Sequence, residues 1–123
     1  MQIEFLVEGD VTVVRLEGRF VTGSDAEYLR AKETLSKSAA QRVIVDCQEV
    51  PYLDSTALNF VVGLFTTVKN AGGRLAVCGV NPRMAEVLRI THLDQIIPVY
   101  PDRQAALTAV TAGAEPRRRA KER

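Results

Sequence analysis

The chain has 123 residues, 46% of them hydrophobic and 25% charged, with a formal net charge of +1. That composition suits one soluble domain with an apolar core and excludes a whole-molecule bias toward nucleic acid or anionic membrane. No apolar run approaches the ~18 residues of a membrane helix, and Met1-Gln2-Ile3-Glu4 opens no signal peptide, so the expectation is a cytoplasmic protein without membrane insertion.

From the start, Ile3, Phe5 and Val7 alternate along one strand face, Glu8-Gly9-Asp10 is a turn signal, and the β-branched run 11–16 follows, which together predict an antiparallel hairpin. Gly18 to Gly23 reads as a loop. Ser24-Asp25-Ala26-Glu27 has the capping-box pattern, with Ser24 as cap, and opens a helix to about residue 38 whose thin apolar stripe is Ala26, Leu29 and Leu35. Residues 42–47 form a short apolar strand, and a loop containing Pro51 follows. Leu58, Val61, Val62, Phe65 and Val68 recur at helical spacing over residues 55–70, and Gly72-Gly73 ends that helix.

Residues 74–80 predict another strand. Asn81-Pro82 supplies a cap and a first-turn proline for a short helix with Met84, Val87 and Leu88 on one side. Residues 95–100 predict a last strand, placed at an edge by Pro98, and residues 101–110 a final helix led by Asp102. Strands alternating with helices after the first hairpin predict an α/β fold with a mostly parallel sheet. The expected domain is 1–111. Residues 112–123 hold four arginines and one lysine within 117–123 and read as a disordered basic tail. Without interleaved aromatics or a folded basic face, the tail implies no direct nucleic-acid binding.

The stretch Tyr52-Leu53-Asp54-Ser55-Thr56-Ala57-Leu58 carries the functional signal. It places Asp54 and Ser55 at a strand-to-helix turn, where free backbone N–H groups and a partial positive charge accept an anion, including a serine phosphate. Either residue could serve as the cap. Three polar groups in a row exceed what one cap needs, and the apolar lip Pro51-Tyr52-Leu53 lies beside them, so the stretch reads as a switch. It does not read as a catalyst. His92 is the single histidine, in a loop far along the chain, and no Gly-x-Ser-x-Gly elbow surrounds Ser55. One histidine and two separated cysteines suggest no metal site, and no cofactor is expected. Cys47 and Cys78 sit in apolar strand-like runs and are expected as reduced, buried thiols.

The order and spacing of several pieces resemble the STAS family, the domain shared by bacterial anti-sigma factor antagonists and sulphate transporter tails. These are Val11-Thr12-Val13-Val14-Arg15-Leu16-Glu17-Gly18-Arg19, Val43-Ile44-Val45-Asp46-Cys47, the Tyr52–Leu58 stretch, Val68 to Leu75, and Asn81-Pro82-Arg83 with Leu88 to Leu93. The resemblance covers about residues 3–110. It implies a mixed sheet of four or five strands with helices packed mainly on one side. It also implies a non-enzymatic antagonist that binds an anti-sigma factor with serine kinase activity while unphosphorylated. The regulatory phosphoserine falls on Ser55, with Thr56 as a secondary site, and a PP2C-type phosphatase resets it. The implied docking surface is Arg19, Thr22, Ser24, Pro51, Tyr52, Asp54, Ser55, Thr56 and Asn59. Thr56-Ala57 stands where the family often has Ser-Gly. Some similar proteins are instead unphosphorylated accessory subunits packed on the ATPase of a lipid transporter, which is the alternative reading.

Overall fold

The hairpin forms as expected in the structure, a computed structural model that describes residues 2–19, 25–38, 40–52 and 54–112. β1 (Gln2–Glu8) and β2 (Val11–Glu17) pair antiparallel with Glu8 opposite Val11, and Gly9 takes φ +64° in the two-residue turn. The elements that follow are α1 (Asp25–Ser38), β3 (Arg42–Glu49), α2 (Ser55–Asn70), β4 (Arg74–Cys78), α3 (Pro82–Ile90), a 3-10 turn (Leu93–Gln95), β5 (Val99–Tyr100) and α4 (Arg103–Ala112).

The five strands lie in the order β1-β2-β3-β4-β5, and every pair after the first is parallel. Each parallel step needs a crossover, and crossovers of one hand that advance in one direction put their helices on one face. That face buries Val14, Leu16, Val43, Val45, Leu75 and Val77 against α1, α2 and α3. Alternate residues Val11, Val13, Ile44, Ala76 and Cys78 face the other way and meet Ala106 and Val110 of α4. β3 is covered on both sides, which is why its run from Val43 to Cys47 is buried throughout.

Several expectations are corrected. The buried stripe of α1 is Tyr28, Ala31 and Leu35; Ala26 and Leu29 are exposed. The phase is set by Tyr28, whose ring stacks on Phe60 of α2 at 4.6 Å and buries more area than a leucine would. In α2 the buried residues are Ala57, Phe60, Val61, Leu64 and Val68, so the expected Leu58, Val62 and Phe65 lie at the margin of the stripe. Val7 is 75% exposed, because it sits beside the hairpin turn of an edge strand. Val87 is also exposed, while Met84 and Leu88 are buried.

β4 stops at Cys78 because Gly79 turns the chain with φ +73°. The last strand is only Val99–Tyr100: His92 takes φ +62°, the 3-10 turn consumes residues 93–95, and the Ile96 and Ile97 amides bond back to the Leu93 carbonyl. It is an edge strand, and the Pro98 carbonyl accepts from the Val77 amide at 2.9 Å. The helix ends agree with the pattern. Asp102 caps α4 through the Ala105 amide at 2.8 Å, and Gly72 takes φ +83° after α2. The capping-box residue Ser24 and the basic stretch 113–123 lie outside the described residues.

Candidate functional site

β3 leads straight into the site. Val50 is buried, and its amide bonds the Cys47 carbonyl at 3.0 Å, so the chain leaves the sheet in a fixed direction. Asn81 then holds the exit. Its side-chain NH2 donates to the Pro51 carbonyl at 3.1 Å and the Val50 carbonyl at 3.4 Å, while its oxygen accepts from the Met84 amide at 2.8 Å. One amide therefore caps α3 and ties the Pro51 loop to it.

Asp54 and Ser55 divide the two roles that the sequence left open between them. Asp54 is the cap of α2: extended at φ −99° and ψ −173°, it accepts from the Ala57 amide at 3.0 Å. Ser55 is the first helical residue and is exposed. Asn59, also exposed, lies four residues on and shares its helix face. Thr56 is half-buried. The Ala57 methyl is buried in the main core, so the residue that departs from the family's usual glycine does not enlarge the surface around Ser55.

Tyr52 forms the lip. The Arg19 guanidinium lies 5.1 Å from its ring centroid and that of Arg83 5.9 Å, both within cation–π range. Gly18 brings Arg19 here: at φ +98° its amide bonds the Glu49 carbonyl at 2.9 Å, beside a bulge in the pairing of β2 with β3. The structure thus places Arg19, Pro51, Tyr52, Asp54, Ser55, Thr56 and Asn59 around the first turns of α2. Thr22 and Ser24, together with Leu53, lie outside the described residues. Arg83 and Asn81 are site residues that sequence reasoning missed as such. Asn81-Pro82-Arg83 was legible as a helix start, but nothing local signalled its approach to residues thirty positions earlier.

Beneath Tyr52 lies a cavity of about 230 Å³ between α2, α3 and the β4–β5 edge. Cys47, Val61, Val77, Leu88 and Ile97 form its buried floor; Ser55 and Arg83 stand on its rim. His92 is exposed and does not line it. Both cysteines are free and buried, and they face opposite sides of the sheet, which precludes a bridge. Burial pushes each thiol up to about 12; the neighbouring Cys78 adds to this for Cys47, and the Asp46 charge adds to it for Cys78.

Asp46, buried on the α4 side, lies away from the Ser55 surface. Arg103 donates to it at 2.9 Å and to Glu8 at 2.8 Å, and the Gln48 amide donates to its other oxygen at 3.0 Å. Burial works against the Arg103 charge, but its hydrogen bonds to Asp46 and Glu8 outweigh that and raise its pKa. This is a structural clasp, and its partners are too far apart in the chain for the sequence to pair them.

The architecture is a five-stranded mixed sheet with an exposed serine beside a helix-capping aspartate. The STAS domain family model matches residues 2–106, and the chain belongs to that family. It is similar to an anti-sigma F factor antagonist of Paenibacillus polymyxa, 28% identical over 109 residues, covering 88% of this chain and 93% of the relative. The fold is shared with an anti-sigma factor antagonist of Mycobacterium paratuberculosis at a TM-score of 0.81 and 22% identity, covering 89% and 93% of the two chains. The phosphorylated form of the Bacillus cell fate determinant SpoIIAA shares it at 0.68 and 18%, covering 89% and 99%. No helix among the described residues is long and apolar enough to cross a membrane.

Proposed function

We propose that this chain is a cytoplasmic anti-sigma factor antagonist and not an enzyme. Unphosphorylated, it docks an anti-sigma factor with serine kinase activity through Arg19, Tyr52, Ser55 and Asn59, and so frees a sigma factor for transcription. Phosphorylation of Ser55 releases the partner, and a PP2C-type phosphatase resets the switch. The observation that carries this reading is the division of labour at the turn: Asp54 fills the cap, leaving Ser55 exposed at the first helical position.

The energetics favour an effect on the partner over an effect on the fold. A phosphate adds roughly −1.5 to −2 charges. It gains from the α2 N-terminus and loses from Asp54 next to it, so the change within the chain is about 1 kcal/mol or less. The same dianion in a closed interface costs several kcal/mol through desolvation and like-charge repulsion.

The test is phosphorylation with ATP in host lysate, read by mass spectrometry, alongside Ser55→Ala and an active kinase control. One phosphate on Ser55, absent from the variant, is expected. A phosphate on Thr56 alone, or none while the control is phosphorylated, refutes the switch. Once the kinase is isolated, Ser55→Glu is expected to bind it far more weakly than the wild type does.

A further inference from the structure

We propose that the cavity beneath Tyr52 is a ligand site for a small anionic amphiphile, a monocarboxylate with a short apolar chain. Three observations carry it, and none depends on the phosphorylation of Ser55.

The first is size and lining. An apolar cavity of 150 Å³ stays dry and takes up benzene. By proportion, 230 Å³ holds about nine carbon atoms. Its floor offers methyl and methylene groups from Val61, Val77, Leu88 and Ile97, each at most 6% exposed. Water has few hydrogen-bond partners there, so an alkyl chain is the better occupant.

The second is access. Pro51, Ser55, Arg83 and Val87 line the same cavity and are exposed, so it has a rim that reaches solvent and is not a sealed packing defect.

The third is charge. Arg83 is the second residue of α3, where a cation meets the positive end of the helix dipole. Among the described residues neither Arg83 nor Arg19 forms an ion pair, and both lie against Tyr52 at the lip. A carboxylate head supplies the missing counter-charge through a charge-assisted hydrogen bond. The carboxylate of Asp54, also on the wall, accepts from the Ala57 amide in the first turn of α2. The chain therefore enters the floor while the head stays at the rim on Arg83.

The test uses the full-length, isotopically labelled protein, followed by NMR during titration with octanoate, with 1-octanol and octylammonium as probes of the same chain and different heads. Octanoate is expected to give saturable shifts confined to the lining residues, at concentrations below micelle formation, and to bind more tightly than octanol, with octylammonium weakest. Arg83→Gln, an exposed change, is expected to weaken octanoate about tenfold or more while leaving octanol unchanged, in line with losing one charge-assisted bond. Val61→Phe, checked for folding by its own spectrum, is expected to abolish both. No saturable shift, shifts scattered over the surface, or equal binding of the three probes with no effect of Arg83→Gln overturns the proposal.

Discussion

Removing the α2 cap is the sharpest test of how the Ser55 turn is built. In Asp54→Ala the Ala57 amide loses its 3.0 Å acceptor, which costs about 1 kcal/mol for a cap of this kind. A carboxylate at a helix N-terminus contributes about 0.5 kcal/mol more through its charge. The total is about 1.5 kcal/mol. Unfolding entropy near the melting temperature is about 2.1 cal/mol/K per residue, or about 0.2 kcal/mol/K for the 2–106 body. The melting temperature should therefore fall by about 7 °C. Asp54→Asn keeps an acceptor oxygen and loses only the charge, so it should fall by about 2 °C. The assay is thermal unfolding by circular dichroism, with amide exchange at residues 55–57 reporting local fraying. A drop in Asp54→Ala no larger than that in Asp54→Asn would refute the assignment of Asp54 as the cap and reopen Ser55 for that role.

Two further predictions concern buried groups away from that turn. Both thiols are held protonated up to about 12 in the native state, whereas unfolded cysteine ionises near about 8.5. The unfolded chain thus sheds protons first, so stability from this source is intact below about pH 8.5 and declines as pH rises toward 12. Denaturant midpoints at pH 7 and pH 10 should show a smaller loss in Cys47→Ala/Cys78→Ala than in wild type; equal losses would remove the thiols as the cause. Arg103→Ala strands the buried Asp46 carboxylate without a counter-charge, leaving it the Gln48 amide and the weak Cys78 thiol as donors. Because Arg103 is itself partly exposed, the expected cost is about 2–3 kcal/mol by chemical denaturation, and Asp46→Asn in the same chain should recover much of it.

What the sequence revealed followed the range of the interactions involved. The bounds of α2 at Ser55 and Asn70, the hairpin turn at Gly9, and the Asn81-Pro82 helix start all rest on local signals: helical spacing, a left-handed glycine, a cap. The phase of α1 was misread because Tyr28, not Leu29, faces Phe60, and that choice belongs to the helix pair. Likewise Ser55 was legible as a residue but its surroundings were only partly so. Arg19 and Arg83 converge on Tyr52 from either side of it in the chain, and only the β2–β3–β4 register and the Asn81 tether bring them there. The Asp46–Arg103–Glu8 cluster spans nearly the whole chain and left no local trace.

The strand order has a consequence for synthesis. Because β1 to β5 join the sheet in the order in which they emerge from the ribosome, each new strand finds its partner edge already made. The second face of that sheet has no such schedule. Val13, Ile44, Ala76 and Cys78 stay uncovered until Ala106 and Val110 arrive at the very end of the domain. A nascent chain paused before α4 would carry a finished Ser55 turn on one side and a bare apolar sheet on the other. Such a species invites chaperones or self-association. The clasp of Arg103 onto β1 and β3 is then the step that closes the product and retires that hazard.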